Sequence, residues 1–472
     1  MYGPDGVIWL EACLSDPVKK GESLIDNVVL ARAYRLSIAA AASLFLAAAC
    51  FSARMNREPA APQPAAVSAA SDSVSPTSTV ADTTPQPVRA ELSHENEFFD
   101  DAATAAFKQF DKLWRPRTGL AASTPDYARL TPWDIGSVIA SNYAAHRLGL
   151  LDDAAYDKRQ RTTLNTLAKI PLYRGAVFHK MYFADNARMA DHAGRITNVG
   201  YGWSATDLGR LLNWLRIIAT TEPQYHDVVQ RIVHRINFNE TTADGYMYGG
   251  LNGTHGKLWK FQEGRIGYEQ YAAQGFQFWG AAVQNAVDLH KNSQPVDVLG
   301  VEVLGDKRGL DRLNSEPFVL MGMEIGFTAD MKQLAEAVLA AQEARFHQTG
   351  HLTMVSEDAV SVPPYYFYYY CVLCNGRAFT VDVAQTGKRL DEPRWVSTKA
   401  SFGYHALLAT PYTKQVLEKI ADAKTVRGWS SGIFEKNGKS TNTFDINTAA
   451  VVLEAALYHK LGRPFVTAAT SL

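Results

Sequence analysis

Cysteine is scarce in this chain. Its 472 residues include four, Cys13, Cys50, Cys371 and Cys374, too few for a disulfide framework. Cys371-Val-Leu-Cys374 has C-x-x-C spacing, but no second pair completes a zinc site, and it follows Tyr368-Tyr369-Tyr370 rather than a thioredoxin-like setting. The pair reads as two structural thiols, or as a local disulfide outside the cytoplasm. An excess of either charge is missing too. The 47 basic and 48 acidic residues leave a net charge of −1, which argues against nucleic acid as a partner, since that would select for a basic face. It also gives no hint of a polyanionic substrate. The histidines, among them His179, His192, His255 and His405, show no His-x-x-x-His spacing, so neither a metal site nor a cofactor is expected.

Aromatic residues are plentiful instead: 9 Trp, 21 Tyr and 21 Phe, 11% of the chain, within a hydrophobic share of 47%. That content supports a large core and suits sugar binding, where rings stack on the apolar faces of pyranoses.

The first ninety residues concern address. Residues 36–51 form an apolar run ending in small residues, preceded by Arg32 and Arg35, the pattern of an export signal. The run is shorter than the ~20 apolar residues of a membrane span. Leu46-Ala47-Ala48-Ala49-Cys50 resembles a lipoprotein cleavage box, although Ala47 replaces the usual large aliphatic residue. Lipidation at Cys50, plain cleavage and an uncleaved anchor all fit. Residues 57–91 are rich in Ala, Pro, Ser and Thr and cannot bury enough apolar surface to fold. The expected organisation is an extension and signal or anchor over 1–56, a disordered linker over 57–91, and one domain over 92–472. That places the protein in the periplasm or cell envelope, with membrane contact only through an N-terminal anchor or lipid.

From residue 92 the apolar spacing is helical. It predicts helices near 94–115, 131–148, 152–169, 204–220, 223–236, 267–289, 315–327, 329–348, 397–409, 411–424 and 443–461. Links alternate between very short ones, such as Thr221-Glu222 and Thr410-Pro411, and long ones such as 170–203 and 349–396. That alternation means stacked helical hairpins. The helices after long links are rich in Gly, Ala and Ser and suit an inner ring; those after short links are charged and amphipathic and suit an outer ring. Six inner and five outer helices imply an all-α (α/α)6 barrel with its long loops on one rim. The sixth outer helix would fall near 290–314, where no helical pattern is found. An α-solenoid is the alternative arrangement.

All long links then reach one rim, and the first turns of the inner helices carry acids: Asp134, Asp207, Glu269, Glu316 and Asp445. Acids also favour helix N-termini as caps and through the macrodipole. The loops add Glu263 and Arg265 before Tyr268, Glu357-Asp358 before the block Pro363-Pro364-Tyr365-Tyr366-Phe367-Tyr368, and the rings of Tyr246, Tyr248, Trp259 and Trp429. The aromatic block is too irregular for a helix face and reads as an extended segment lining the cleft. Gly428-Trp-Ser430-Ser-Gly432 matches the G-x-S-x-G expression, but a nucleophile elbow needs a strand before it and a helix after it. Ser430 is therefore not read as a nucleophile.

Several segments resemble a family of exported bacterial domains known only as a domain of unknown function and related to the six-hairpin glycosidases, including bacterial endo-β-glucanases of the (α/α)6 class. The resemblance is carried by Thr131-Pro-Trp-Asp134, Ser204-Ala-Thr-Asp-Leu-Gly-Arg-Leu-Leu212, Glu263-Gly-Arg-Ile-Gly-Tyr-Glu-Gln-Tyr-Ala-Ala273, Val355-Ser-Glu-Asp358, Ser397-Thr-Lys-Ala-Ser-Phe-Gly-Tyr-His-Ala-Leu407 and Asn442-Thr-Phe-Asp-Ile-Asn-Thr-Ala449. It implies the barrel fold; barrels of this kind also serve lyases, phosphorylases and binders.

The sequence thus leads to a glycoside hydrolase acting on a bacterial glucan or exopolysaccharide through two carboxyl groups. Glu263 is expected as general acid and Asp134 as base or water-positioning carboxylate, with Glu357 and Asp358 in reserve. Trp133, Asp207, Arg265, Tyr268, Glu269, Glu316, Trp429 and Asp445 would bind sugar. A non-catalytic polysaccharide-binding or assembly protein of the envelope is the alternative, and a polysaccharide lyase the third class.

Overall fold

A computed structural model of the protein describes residues 86–253, 257–308, 312–371, 378–384 and 387–466. The expected export signal, Cys50, Cys374 and nearly all of the expected linker lie outside the described residues. No helix among the described residues is long and apolar enough to cross a membrane.

Among the described residues, eleven helices of eight or more residues occupy the eleven places that the apolar spacing indicates: α1 (Gln86–Leu113), α2 (Pro132–Arg147), α3 (Asp153–Leu167), α4 (Ala205–Thr221), α5 (His226–Val233), α6 (Tyr268–Gln277), α7 (Glu316–Glu324), α8 (Ala329–Thr349), α9 (Thr398–Leu408), α10 (Pro411–Ile420) and α11 (Ile446–Leu461). Helices α2, α4, α6, α7, α9 and α11 each pack on the next, and α11 packs back on α2, closing a ring of six. The remaining five lie outside it. This is the (α/α)6 barrel, and the closure excludes an open solenoid.

Small residues set the close approach within the ring. A Cβ on Gly209 of α4 would lie 2.5 Å from the Ala272 carbonyl of α6, and one on Gly275 would lie 2.2 Å from the Gly209 carbonyl. One on Gly403 of α9 would meet Val319 of α7 at 2.5 Å. Side chains at these places would push the helices apart, because cores are close-packed.

Two departures from the sequence reading have local causes. Helix α6 ends at Gln277 rather than near 289; Gly280, with φ +79°, turns the chain, and only Gln284–Val287 resumes as one turn. The sixth outer helix is replaced by an antiparallel hairpin, Ser293–Val298 paired with Val301–Asp306. Its turn is Leu299-Gly300, both at positive φ (55° and 84°), the two-residue geometry that matches strand twist. Val298 and Val303 are buried and the hairpin packs on α8, doing the covering work of a helix.

Three further antiparallel sheets lie among the long loops. In chain order, β1 (Gly202–Trp203) pairs with β2 (Tyr246–Asn252), which pairs with β3 (Leu258–Gln262). Strands β4 (Glu357–Ala359), β5 (Tyr366–Tyr370), β6 (Thr380–Val383) and β7 (Arg389–Leu390) form a four-stranded antiparallel sheet. Trp395–Ser397 pairs with Gly432–Phe434 just before α9. The aromatic block is thus extended, as its irregular spacing indicates. Period-2 alternation divides it: Phe367 and Tyr369 are buried against Trp395, while Tyr366 and Tyr368 are half-buried on the opposite face.

Candidate active site

Each long loop delivers its residues to the N-terminal ends of the inner helices, and the carboxyl groups gather there in two arcs. The first arc contains Glu263, Asp207 and Asp134. Glu263 follows β3 and accepts hydrogen bonds from Ser204 Oγ at 2.9 Å and from the backbone N–H of Ala205 at 2.5 Å. It therefore sits on the N-terminus of α4, where unpaired amides and the macrodipole favour a carboxylate. Ser204 caps the same helix by accepting from the Asp207 amide at 3.0 Å. Asp207 is half-buried. Enclosure, then the neighbouring Glu263 carboxylate, push its carboxyl up to about 7.

Asp134 closes a capping box on α2, accepting from the Thr131 amide at 2.9 Å. It also accepts from Ser123 Oγ at 2.6 Å and from Asn447 Nδ2 at 2.9 Å, a partner 313 residues away. Both oxygens are committed, so the carboxylate ties α2 to α11. Asp134→Ala is expected to cost about 1–2 kcal/mol of stability, read by urea denaturation; an unchanged midpoint would show that the box and the Asn447 bridge contribute nothing.

The second arc surrounds Lys399, in the first turn of α9. Its Nζ lies 2.7 Å from Glu316 Oε1 and 3.6 Å from Asp358 Oδ1, and donates to the Glu357 carbonyl at 2.6 Å. Burial works against this ammonium, but Glu316, Asp358 and Asp445 outweigh it and hold its pKa above the ordinary lysine value. Glu316 Oε2 accepts from Tyr268 Oη at 2.9 Å, and Asp358 Oδ2 from Trp395 Nε1 at 2.8 Å. Glu357 Oε1 accepts from Tyr366 Oη at 2.6 Å. Burial, then the Glu316 charge, push Glu357 up to about 7; burial likewise pushes Asp358 to about 7. Asp445 caps α11 through the Thr448 amide and hydroxyl, both at 2.8 Å, and is raised by burial, partly offset by Lys399. It senses the charge of Asp134 as well, and because the helices that carry these acids follow one another round the ring, the acids surround its mouth.

Aromatic groups fill the gap. Trp133 and Tyr268 lie 5.9 Å apart between their centroids, and the Arg312 guanidinium stands 4.1 Å over the Tyr368 ring. Two other residues named from the sequence serve elsewhere. Trp429 is buried beneath α1, its Nε1 donating to the Ala102 carbonyl at 3.1 Å and its ring against Phe402, so it offers no face to sugar; a ring in a long loop is not thereby a rim ring. Glu269 is fully buried and held by Arg308 at 3.0 and 2.6 Å, fixing the outer hairpin to α6 rather than facing the opening. Arg265 Nη1 donates to Gln262 Oε1 at 2.8 Å and to the Gly264 carbonyl at 2.6 Å, bracing the loop that carries Glu263. Ser430 is buried, donating to the Gly432 carbonyl at 3.0 Å. Cys371 is buried and its thiol pushed up to about 12 by burial, as befits a structural thiol. No group of three or more metal-ligating side chains occurs among the described residues.

Sequence reasoning missed Lys399, although a signal was present. A lysine in the first turn of a small-residue helix opposes the macrodipole, so something else must hold it there.

Residues 101–462 match a family model described as protein of unknown function (DUF3131). The chain belongs to that family. No curated protein matches it. Solved structures share its fold at low identity. A proposed glucoamylase from Bacteroides caccae is 13% identical with a TM-score of 0.57, covering 79% of this chain and 97% of its own. An endo-β-1,2-glucanase from Chitinophaga pinensis, solved with sophorotriose and glucose, is 10% identical with a TM-score of 0.57 over 78% and 93%. An endo-β-1,2-glucanase from Talaromyces funiculosus, solved with sophorose, is 13% identical with a TM-score of 0.54 over 79% and 85%. At these identities the likeness establishes the barrel fold alone.

Proposed function

We propose that this DUF3131 chain is a glycoside hydrolase acting on a glucan, with β-1,2-linked glucan as the first substrate to test. The observation that carries the reading is the ring of carboxyls at one barrel mouth, three of them pushed up to about 7. Hydrolysis needs one carboxyl that holds a proton near neutrality and another that takes one from water. Asp207, which enclosure and the neighbouring Glu263 carboxylate favour in its protonated form, serves as the acid. It protonates the glycosidic oxygen as the anomeric C–O bond breaks. Glu357, in the second arc and oriented by Tyr366, takes the proton of the water that attacks the anomeric carbon. In this reading Asp134, expected from sequence as the base, holds α2 and α11 in register through its bonds with Ser123, Thr131 and Asn447. The two β-1,2-glucanase neighbours, each bound to its sugar, support the choice of substrate. The apolar run over 36–51 supports export to the cell envelope.

The test is release of reducing ends from β-1,2-, β-1,3- and β-1,4-glucans by the full chain, beside Asp207→Asn, Glu263→Gln and Glu357→Gln. Each variant is expected to lose roughly 10²–10⁴-fold in rate. The acid must stay protonated and Glu357 ionised, so the wild-type rate should peak near pH 7 and fall on either side of it. An acid variant should keep most of its rate on an aryl glucoside whose leaving group needs no proton, whereas Glu357→Gln should not. Binding of a glucan without release of ends, unchanged in all three variants, would establish a non-catalytic polysaccharide binder instead.

A further inference from the structure

The carboxyl ring leaves the tryptophan of β3 unused. Trp259 is the largest exposed apolar side chain among the described residues, with 61% of its surface open. It stands on a regular strand, so its direction is fixed by the pleat: Trp259, Phe261 and then Glu263 share one face, and Lys260 and Gln262 the other. The second face is occupied. Lys260 lies 5.6 Å over the Trp203 ring and pairs with Glu240 at 2.7 Å.

The first face is open and nearly bare. Trp259 and Phe261 have centroids 5.4 Å apart with planes tilted by 45°. Across the ladder, Trp259 faces Leu251 and Phe261 faces Gly249; Leu251 faces Gly202 in turn. Gly249 has a specific reason to lack a side chain, because a Cβ there would stand 2.6 Å from Glu263 Oε2 and 2.9 Å from the Phe261 ring. The strip is thus two rings over a glycine floor, continuous with a rim carboxylate. From Trp259 to Glu263 is four residues of strand, roughly 13 Å, longer than a single pyranose ring.

We propose that Trp259 and Phe261 form a remote sugar subsite, a stacking platform for a neutral glucan chain that leaves the carboxyl ring along the open face of β3. This rests on the glycoside-hydrolase reading and deepens it: the protein takes extended chains rather than disaccharides. Continuity with Glu263 argues for a saccharide occupant, as does the chemistry, since an aromatic face matches the apolar C–H face of a pyranose while its edge stays wet. Phe261 is the inner part of the platform and Trp259 the outer.

The experiment compares the wild-type full chain with Trp259→Ala and Trp259→Phe on a length series of β-1,2-glucooligosaccharides and on the polymer. Polymer retention in affinity gel electrophoresis is measured in parallel. In Trp259→Ala, KM for polymer is expected to rise about tenfold at unchanged kcat, as loss of an aromatic stacking contact implies, while the shortest cleaved oligosaccharide is turned over as before. Trp259→Phe should restore most of the polymer KM. A Trp259→Ala variant with the wild-type dependence on chain length would overturn the subsite while leaving the hydrolase reading intact. If the wild type cleaves no glucan, the hydrolase reading fails on its own, and gel retention decides the subsite. Retention that weakens in Trp259→Ala supports it; retention unaffected by the substitution, or none by the wild type, overturns it and leaves the strip to a protein partner.

Discussion

Replacing Lys399 by methionine is expected to cost about 3–5 kcal/mol of folding stability, the penalty for leaving buried charges without their partner. The ammonium is almost wholly buried, lies 2.7 Å from Glu316 and 3.6 Å from Asp358, and donates to the Glu357 carbonyl. Methionine matches its bulk but removes the charge, so Glu316 and Asp358 must face each other unpaired or take up protons. Asp358 already stands at about 7, and loss of Lys399 raises it further. A carboxyl whose folded pKa exceeds its unfolded value stabilises the fold below the unfolded pKa. It loses that contribution as pH rises through the folded one. The destabilisation should therefore be larger at pH 8 than at pH 5.5 by urea denaturation. Adding Glu316→Gln to the methionine variant should recover part of the loss. An equal loss at both pH values would mean that Lys399 acts by packing alone. Activity should fall with the first variant in any case, because Glu357 hangs on the backbone that Lys399 holds.

The second large effect belongs to the barrel axis. Arg210 is fully buried midway along α4, with Nε 3.5 Å from Glu324 Oε1 and Nη2 3.2 Å from Glu454 Oε1. Glu324 accepts from Trp214 Nε1 at 2.8 Å and from Tyr271 Oη. Burial raises Glu324, and burial with the Glu324 charge raises Glu454 further. One guanidinium set against two carboxyls ties α4 to α7 and α11. Its Nη1 donates to Ser137 Oγ at 2.8 Å, Ser137 to Asn447 at 2.7 Å, and Asn447 to Asp134, so the axis and the rim form one hydrogen-bonded chain. The Arg210 guanidinium also lies 5.0 Å over Trp133. Arg210→Met should therefore cost about 3–5 kcal/mol and lower kcat through misplaced rim residues. The triple variant with Glu324→Gln and Glu454→Leu, which keeps an acceptor for Trp214 and Tyr271, should recover most of that loss, since removing every charge of a buried ion cluster together is often neutral or better. A triple variant as unstable as the single one would show that shape rather than charge governs the axis.

Reading the chain by residue spacing located the helices because amphipathic periodicity is local. It also set inner against outer helices, because small residues and short links leave marks within a few positions. The resemblance carried by Thr131-Pro-Trp-Asp134 and its companion segments agreed with the barrel. The acids of the first turns were legible for the same reason: capping follows from a helix end and nothing else. Asp134 and Asp445 proved to be caps and rim residues at once, since the ring places helix ends at the mouth.

What only the tertiary structure decided is which acids face water, which face each other and which are consumed by a partner. Those outcomes depend on neighbours hundreds of residues away, as in Asp134 with Asn447 or Arg210 with Glu454, and burial and charge act through space rather than along the chain. The same holds for Trp429, a loop ring that tertiary packing buries, and for Trp259, a loop ring that the pleat of β3 turns outward. The hairpin over 293–306 stands between the two cases. Its period-2 valines and Leu299-Gly300 turn fixed its local form, but only the closed ring of six inner helices shows that it covers the place of an outer helix.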